Sequence, residues 1–305
     1  MSIYKKVLIA IDGSDTSMHA LREFLKFAKI ERMSITVVSV IPAYEGDLAS
    51  MWTNNIKASM KKGCDTSLAE ALKMAVEEGV PVETVCEEGE IYERIIDLAD
   101  AENYDLIVMG KKGMSLIERA FVGSVTSRVI GYSRQDVLVI PYGAKISLKN
   151  LLIATDGSVY SEAAARKAIE IALHYHGELK ALSVVDVTVE FMLRANEVYK
   201  SMIEKAKGFT DSIKEKASSA NVKAESLVRE GGRRESRWTE SIAVGSEAFV
   251  EKTKAELGIK AIGREVMGAD GVYELRERDG SYNGNLSGEN GGLRPENTYF
   301  LKIPV

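Results

Sequence analysis

Four residues define the chemistry within this sequence's reach: Gly110, Gly113, Gly123 and Ser124, spaced as G-x2-G-x9-G-S. Glycines tolerate positive φ and let a ligand come close to the backbone. A serine opening a helix can cap it and also bond an anionic oxygen. The unpaired N–H groups of a helix N-terminus attract anions. Together these parts make a phosphate cradle. It is not a Walker A loop, because no G-x4-G-K-[ST] is present. Lys111 and Lys112, between the first two glycines, can screen phosphate charge or simply stand solvated. Asp12, followed by Gly13 and Ser14, is the other polar candidate. Its carboxylate can accept from a ribose hydroxyl, help hold a divalent ion beside phosphates, or cap the next helix. His19, His174 and His176 show no metal-ligand spacing with cysteines or carboxylates. No general base can be named from the sequence, so catalysis has little support.

The flanking pattern says which elements position these residues. Leu106 to Met109 is a short continuous apolar run ending in Gly110, as in a strand buried on both faces. Val125, Val129 and Tyr132 have helical spacing after Gly123-Ser124. Val7 to Ile11 predicts a first strand ending at Asp12, and Asp15 to Lys29 a helix. Further strands are predicted at Ile35–Ile41, Val82–Cys86 and Val137–Ile140. Helical stretches fall at Leu48–Glu78, with a possible break at Gly63, and at Ile91–Ala101. Strands alternating with helices imply an α/β doubly wound parallel sheet. Ligands in such sheets sit at the carboxyl ends of the strands, where the strand order reverses.

The glycine motif, with a strand before it and a helix after it, resembles the ATP-binding branch of the universal stress protein family. That resemblance implies a flavodoxin-like (Rossmann-like) fold with strand order 3-2-1-4-5, placing the ends of strands one and four side by side. It implies ATP or AMP as cofactor, with Mg possible alongside ATP and Asp12 as its possible ligand. The nucleotide-binding residues implied are Ile11, Asp12, Gly13, Val40, Met109, Gly110, Lys111, Lys112, Gly113, Gly123, Ser124, Val125 and Thr126. Val40 would set backbone groups against the adenine edge, Asp12 would meet the ribose, and the glycine loop and Ser124 the phosphates. Val40 is equally readable as core, and Asp12 as a helix cap.

The sequence also repeats. LLIATDGSVYSEAAARKA, from Leu151, matches VLIAIDGSDTSMHALREF at a constant offset of 144, so Asp156-Gly157-Ser158 falls on Asp12-Gly13-Ser14. Ser183-Val184 falls on Ser39-Val40, and Glu190 to Ala217 parallels the long helical stretch of the first half. Val222 to Gly231 resembles Val82 to Gly89, and there the repeat stops. The reading is therefore a complete domain over 1–145, an incomplete second copy over 146–231 and an unrelated tail over 232–305. Ser246 to Leu257 looks helical, capped by Gly258. Ile242–Val244, Val266–Met267 and Val272–Leu275 are candidate strands, and the chain from about Gly280 is expected to be disordered or loosely attached. The stretch from Ser246 to Glu277 resembles the carboxyl-terminal tail of tyrosine transposases acting on repetitive extragenic elements, without that family's catalytic context.

Composition bounds the partners. With 45% hydrophobic and 28% charged residues the 305-residue chain reads as an ordinary soluble, two-domain protein. A net charge of −5 gives no support to nucleic-acid or anionic-membrane binding. The tail carries eleven Lys and Arg against twelve Asp and Glu, so it is no basic arm. Two cysteines, Cys64 and Cys86, are too few for a disulfide framework and fit a reducing cytoplasm. The apolar run near the N-terminus, Val7 to Ile11, is too short for a signal peptide, and no run approaches a membrane span. The resulting expectation is a cytoplasmic, adenine-nucleotide-binding stress protein with a regulatory role. A weak Mg-dependent ATP hydrolase and a nucleotide-free scaffold are the alternatives. The family pairs through its fifth strand, so a homodimer through Asp136 to Pro141 is expected, because the second copy lacks the matching strand. The second copy, missing its central neighbour, is expected to bind no nucleotide and to be the less stable half.

Overall fold

The computed structural model describes residues 2–43, 50–111, 122–231, 242–244, 265–268, 271–274 and 299–302. The first half runs β1 (Lys6–Ile11), α1 (Asp15–Ala28), β2 (Ser34–Pro42), α2 (Ser50–Glu78), β3 (Glu83–Gly89), α3 (Ile91–Ala101), β4 (Leu106–Gly110), α4 (Ser124–Tyr132) and β5 (Asp136–Ile140). The second half adds β6 (Asn150–Ala154), α5 (Val159–Tyr175), β7 (Glu178–Asp186), α6 (Val189–Arg194), α7 (Asn196–Ser219) and β8 (Ala224–Gly231). The rest of the chain contributes β9 (Ile242–Val244), β10 (Glu265–Gly268), β11 (Gly271–Glu274) and β12 (Tyr299–Lys302).

Strands β3-β2-β1-β4-β5 are parallel neighbours in that order, as the α/β reading requires. The apolar runs exist because the central strands are covered on both faces. Along β1, Val7, Ile9 and Ile11 enter a core with Leu21, Phe24 and Leu25 of α1 and Leu68 and Ala71 of α2. The alternate residues Leu8 and Ala10 enter a second core with Ile95 and Ala99 of α3 and Val129 of α4. Helix α2 runs unbroken through Gly63. The predicted long helix of the second half is instead α6 and α7, interrupted at Ala195, whose φ of −127° leaves the helical region. Among the described residues no helix is long and apolar enough to cross a membrane.

The second copy is incomplete, as read, with β6, β7 and β8 parallel. Two expectations are corrected here. The place beside β6 is not empty, because β9 pairs there antiparallel, Leu151 opposite Val244 and Ile153 opposite Ile242. Nor is the β5 edge open along Val137–Val139, the middle of the stretch expected to meet a second copy. Strand β12 pairs antiparallel with both β5 and β9, giving one ten-stranded sheet. The candidate strand at Ile242–Val244 is β9 itself, and those at Val266–Met267 and Val272–Leu275 overlap the antiparallel pair β10–β11. Within the stretch expected to be loosely attached beyond Gly280, residues 299–302 form β12, and Tyr299, Phe300 and Leu301 are of types that favour strands. The proposed helix at Ser246–Leu257 lies outside the described residues.

The halves also share side-chain contacts. Residues of β6 and α5 belong to the same core as β1 and α1. The Tyr4 hydroxyl donates to Asp136 Oδ2 at 2.7 Å, and Lys167 Nζ of α5 lies 4.8 Å over the Tyr4 ring. Phe27 and Tyr175 bring their ring centres to 5.5 Å. A third correction concerns sulfur. Cys64 on α2 and Cys86 on β3 are joined in a disulfide, their Cα atoms 6.5 Å apart. The low cysteine count hid a pair that the packing of α2 on the sheet brings together.

Candidate functional site

The register places Ala10 of β1 beside Met109 of β4, so both strands end at one level, β1 in Ile11 just before Asp12 and β4 in Gly110. The carboxylate of Asp12 is held in a tight turn. Its Oδ1 accepts from the Ser14 N–H at 3.0 Å and from the Ser14 hydroxyl at 2.6 Å. The Asp12 N–H donates to Ser17 Oγ at 3.3 Å. The turn needs φ of +79° at Gly13, a conformation that favours glycine. Ser14, not Asp12, caps α1, its hydroxyl accepting from the Ser17 N–H at 3.3 Å. Ser14 and Ser17 were not among the expected residues, although a serine three positions before another at a helix start was a visible signal.

Gly110 has a different reason to be glycine. A Cβ there would sit 3.1 Å from the backbone N of Ser17 and 3.1 Å from the carbonyl carbon of Thr16. The first turn of α1 is thus laid directly on the end of β4.

On the other side, the Gly123 N–H donates to the Lys111 carbonyl at 2.8 Å, and the Lys111 N–H to Ile140 O at 3.2 Å. The first bond joins the two ends of the connection between β4 and α4, at residues 111 and 123, and the second ties the end of β4 to β5. Gly123 is the N-cap of α4, with ordinary φ of −64°, so the expected cap at Ser124 is corrected by one position. Ser124 is exposed at the first helical position, its hydroxyl released from capping. The first helical bond runs from the Ser127 N–H to Gly123 O at 2.9 Å, so the Ser124, Val125 and Thr126 amides precede the ladder. These amides form the positive end of the α4 dipole. The Thr126 hydroxyl, buried, donates to Gly110 O at 3.1 Å and ties α4 to β4. Val125 packs on the second core.

Val40 is half-buried on β2, one residue past Ser39, which pairs with Ile11. Ile11 and Met109 are buried. The structure thus brings Ile11, Asp12, Gly13, Val40, Met109, Gly110, Lys111, Gly123, Ser124, Val125 and Thr126 to one end of the sheet. Lys112 and Gly113 lie outside the described residues. A residue the sequence did not single out, Ser67 of α2, stands against the Gly13 turn. Its Oγ lies 2.5 Å from where a Gly13 Cβ would stand.

The repeated loop of the second half differs. Asp156 Oδ1 accepts from the Ser158 N–H at 2.9 Å, and Ser158 caps α5. Burial works against ionisation of Asp156, but hydrogen bonds from Ser158 and Ser161 hold its carboxyl below the usual range. Gly157 has φ of +78°, and the ring of Phe209 presses on the space its Cβ would take, where the first half has Ser67.

The universal stress protein family model matches residues 3–141 and again 147–256. This chain belongs to the universal stress protein family. The second match runs past Gly231 and takes in Ser246 to Glu256, part of the segment likened to a transposase tail. Universal stress protein MJ0531 of Methanocaldococcus jannaschii is 36% identical over 142 residues, covering 46% of this chain and 83% of that protein. Universal stress protein YxiE of Bacillus subtilis is 29% identical over 147 residues, 45% of this chain and 99% of that protein. The crystal structure of a universal stress protein from Archaeoglobus fulgidus superposes with a TM-score of 0.54 at 20% identity. It covers 74% of this chain and 77% of its own, a likeness of fold.

Proposed function

We propose that the first half, residues 1–145, binds one adenine nucleotide, ATP or AMP, and that the protein acts as a nucleotide-dependent stress regulator in the cytoplasm. The observation that carries this is the Gly123 N–H to Lys111 O bond of 2.8 Å. It fixes the amide end of α4 at the carboxyl end of β4, the strand that lies next to β1. In this reading the Ser124, Val125 and Thr126 amides and the Ser124 hydroxyl receive phosphate oxygens. Lys111 adds positive charge, the Val40 backbone meets the adenine edge and Asp12 the ribose. A magnesium ion arriving with ATP would find the Asp12 carboxylate at the end of β1, and would supply neutralisation of phosphate charge.

Titration calorimetry of the full chain with ATP and with AMP tests the reading, together with mass spectrometry of whatever co-purifies. Gly123→Val is the decisive variant. Its ordinary φ accepts any residue, so loss of binding would report the β-branched side chain filling phosphate space. Ser124→Ala should weaken binding by about 1 kcal/mol. Wild-type binding by Gly123→Val would show the site to be wrongly placed.

A further inference from the structure

Beside this site stands the sulfur pair. Cys64 is buried on α2, and Cys86 is half-buried on β3. Cys86 lies beside Ser39 of β2, and Ser39 beside Ile11 of β1. Cys64 Sγ is 3.6 Å from the Ser39 carbonyl oxygen. The disulfide therefore crosses over β2 at Ser39, at the level of Ile11 on β1. Three residues along α2, on the same helix face, Ser67 stands against Gly13 at 2.5 Å from its missing Cβ. One rigid turn of helix connects the sulfur bridge to the Asp12–Gly13 turn.

We propose that Cys64 and Cys86 form a thiol–disulfide exchange site that fixes α2 against the Asp12–Gly13 turn and so sets the affinity of the nucleotide site. The affinity readout rests on the nucleotide reading above. Cys86, the more exposed thiol, attacks a low-molecular-weight disulfide such as oxidised glutathione and expels one thiolate. Cys64 then attacks the Cys86 sulfur of the mixed disulfide, forming the protein bond and releasing the second small thiol. Two protein thiols are oxidised, one small disulfide is reduced to two thiols, and no other oxidant is consumed. In the reduced protein the Cys64 S–H is placed to donate to Ser39 O, so the buried sulfur has a partner in both states. Only the tether differs. Oxidised, α2 cannot leave β3 and Ser67 stays on Gly13; reduced, packing alone holds them. A site ordered before its ligand arrives has less to lose on binding, so the oxidised form binds tighter.

The test compares four samples of the full chain: oxidised with glutathione disulfide, reduced with a phosphine, Cys64→Ser and Cys86→Ser. ATP affinity is measured by calorimetry, and amide hydrogen exchange is followed over residues 11–14 and 60–70. The oxidised protein should bind ATP more tightly by a factor between about 5 and 150, the range of ordinary site-to-site coupling. Both serine variants should match the reduced protein and ignore the phosphine. Where ATP binds, equal affinity across the four samples overturns the proposal, as does failure of glutathione disulfide to join the two cysteines. Where ATP binds to none of them, the nucleotide reading falls and exchange alone decides. Faster exchange in the reduced protein then supports the staple, and identical exchange overturns it.

Discussion

Replacing Gly110 by alanine separates two reasons for a glycine at the end of a strand. Gly110 is not among the residues with positive φ, so alanine brings no dihedral strain. Its Cβ would instead lie 3.0 Å from Thr16 Cγ2 and 3.1 Å from Thr16 C and Ser17 N. Two of these three atoms are backbone in the first turn of α1 and cannot rotate aside. The turn must move by a few tenths of an ångström, an overpacking that costs about 1–3 kcal/mol. Alanine also lowers the entropy of the unfolded chain, which returns about 0.4–1 kcal/mol. A net loss of roughly 1–2 kcal/mol is expected. Displacing Ser17 also stretches the 3.3 Å bond by which its Oγ accepts from the Asp12 N–H, so nucleotide affinity should fall with stability. Gly63→Ala is the control: it lies within α2 with nothing within 4 Å of a Cβ. It should stabilise the protein by about 0.5–1 kcal/mol. Urea unfolding followed by circular dichroism, with ATP calorimetry on the same samples, reads both effects. If Gly110→Ala unfolds at the wild-type midpoint with the wild-type slope, the close approach of α1 to β4 is not what the glycine serves.

Three further outcomes are expected. Thr126→Val removes the buried hydroxyl bonded to Gly110 O at 3.1 Å and should cost about 1 kcal/mol in urea unfolding; no change would mean the bond does not tie α4 to β4. Tyr4→Phe loses a hydrogen bond to a carboxylate, worth about 1.5–3 kcal/mol, at the seam between the halves. Burial first, then the Asp136 charge, pushes the Tyr4 hydroxyl well up. Its contribution is thus complete below the ordinary tyrosine value of about 10 and drains away as pH rises above it. Tyr4→Phe should flatten that alkaline loss in a melt series, and an unchanged pH profile would count against the buried pair. Deleting residues 296–305 removes β12 and bares β5. Sedimentation at tens of micromolar should then show pairing that the full chain does not, whereas a full-length dimer through Asp136–Pro141 would require β12 to leave.

Much of the frame was legible because burial writes itself into a parallel sheet. Val7–Ile11 and Leu106–Met109 are unbroken apolar runs since both faces of β1 and β4 are covered. The glycine spacing marked the connection between β4 and α4, yet the structural roles of Gly110, Gly123 and Ser124 were not readable. Whether Gly123 or Ser124 caps α4 is a matter of one backbone step, and Gly110 is glycine because α1 lies on it, a contact across the fold. Ser67 and the Cys64–Cys86 bond belong to the way α2 docks, which its sequence periodicity does not specify. Strand β12 was missed because four residues after a Gly- and Asn-rich stretch carry little periodic signal, although Tyr299, Phe300 and Leu301 are strong strand formers.

The way β9 completes the sheet bears on the stoichiometry expected of the proposed nucleotide site. In the first half, β3 reaches β4 in the 17 positions from Gly89 to Leu106 (106 − 89), enough for α3 to cross over and bring β4 in parallel. In the second half, β8 reaches β9 in the 11 positions from Gly231 to Ile242 (242 − 231), short of a helical crossover of that kind. An antiparallel strand needs no return to the far end of the sheet, and β9 is antiparallel to β6. The register follows: Ile242, where β9 starts, stands opposite Ile153, two residues before Thr155 and three before Asp156. At the point where the first half has a strand ending in a glycine loop and a helix N-terminus, the second half has the beginning of a strand. The positive end that would hold phosphate cannot follow from β9 there, and Phe209 covers the Gly157 turn. The expected stoichiometry is one ATP per chain, lost entirely in Gly123→Val. Calorimetry that finds two sites, or one that survives Gly123→Val and disappears with Asp156→Ala, would refute this account of the second half.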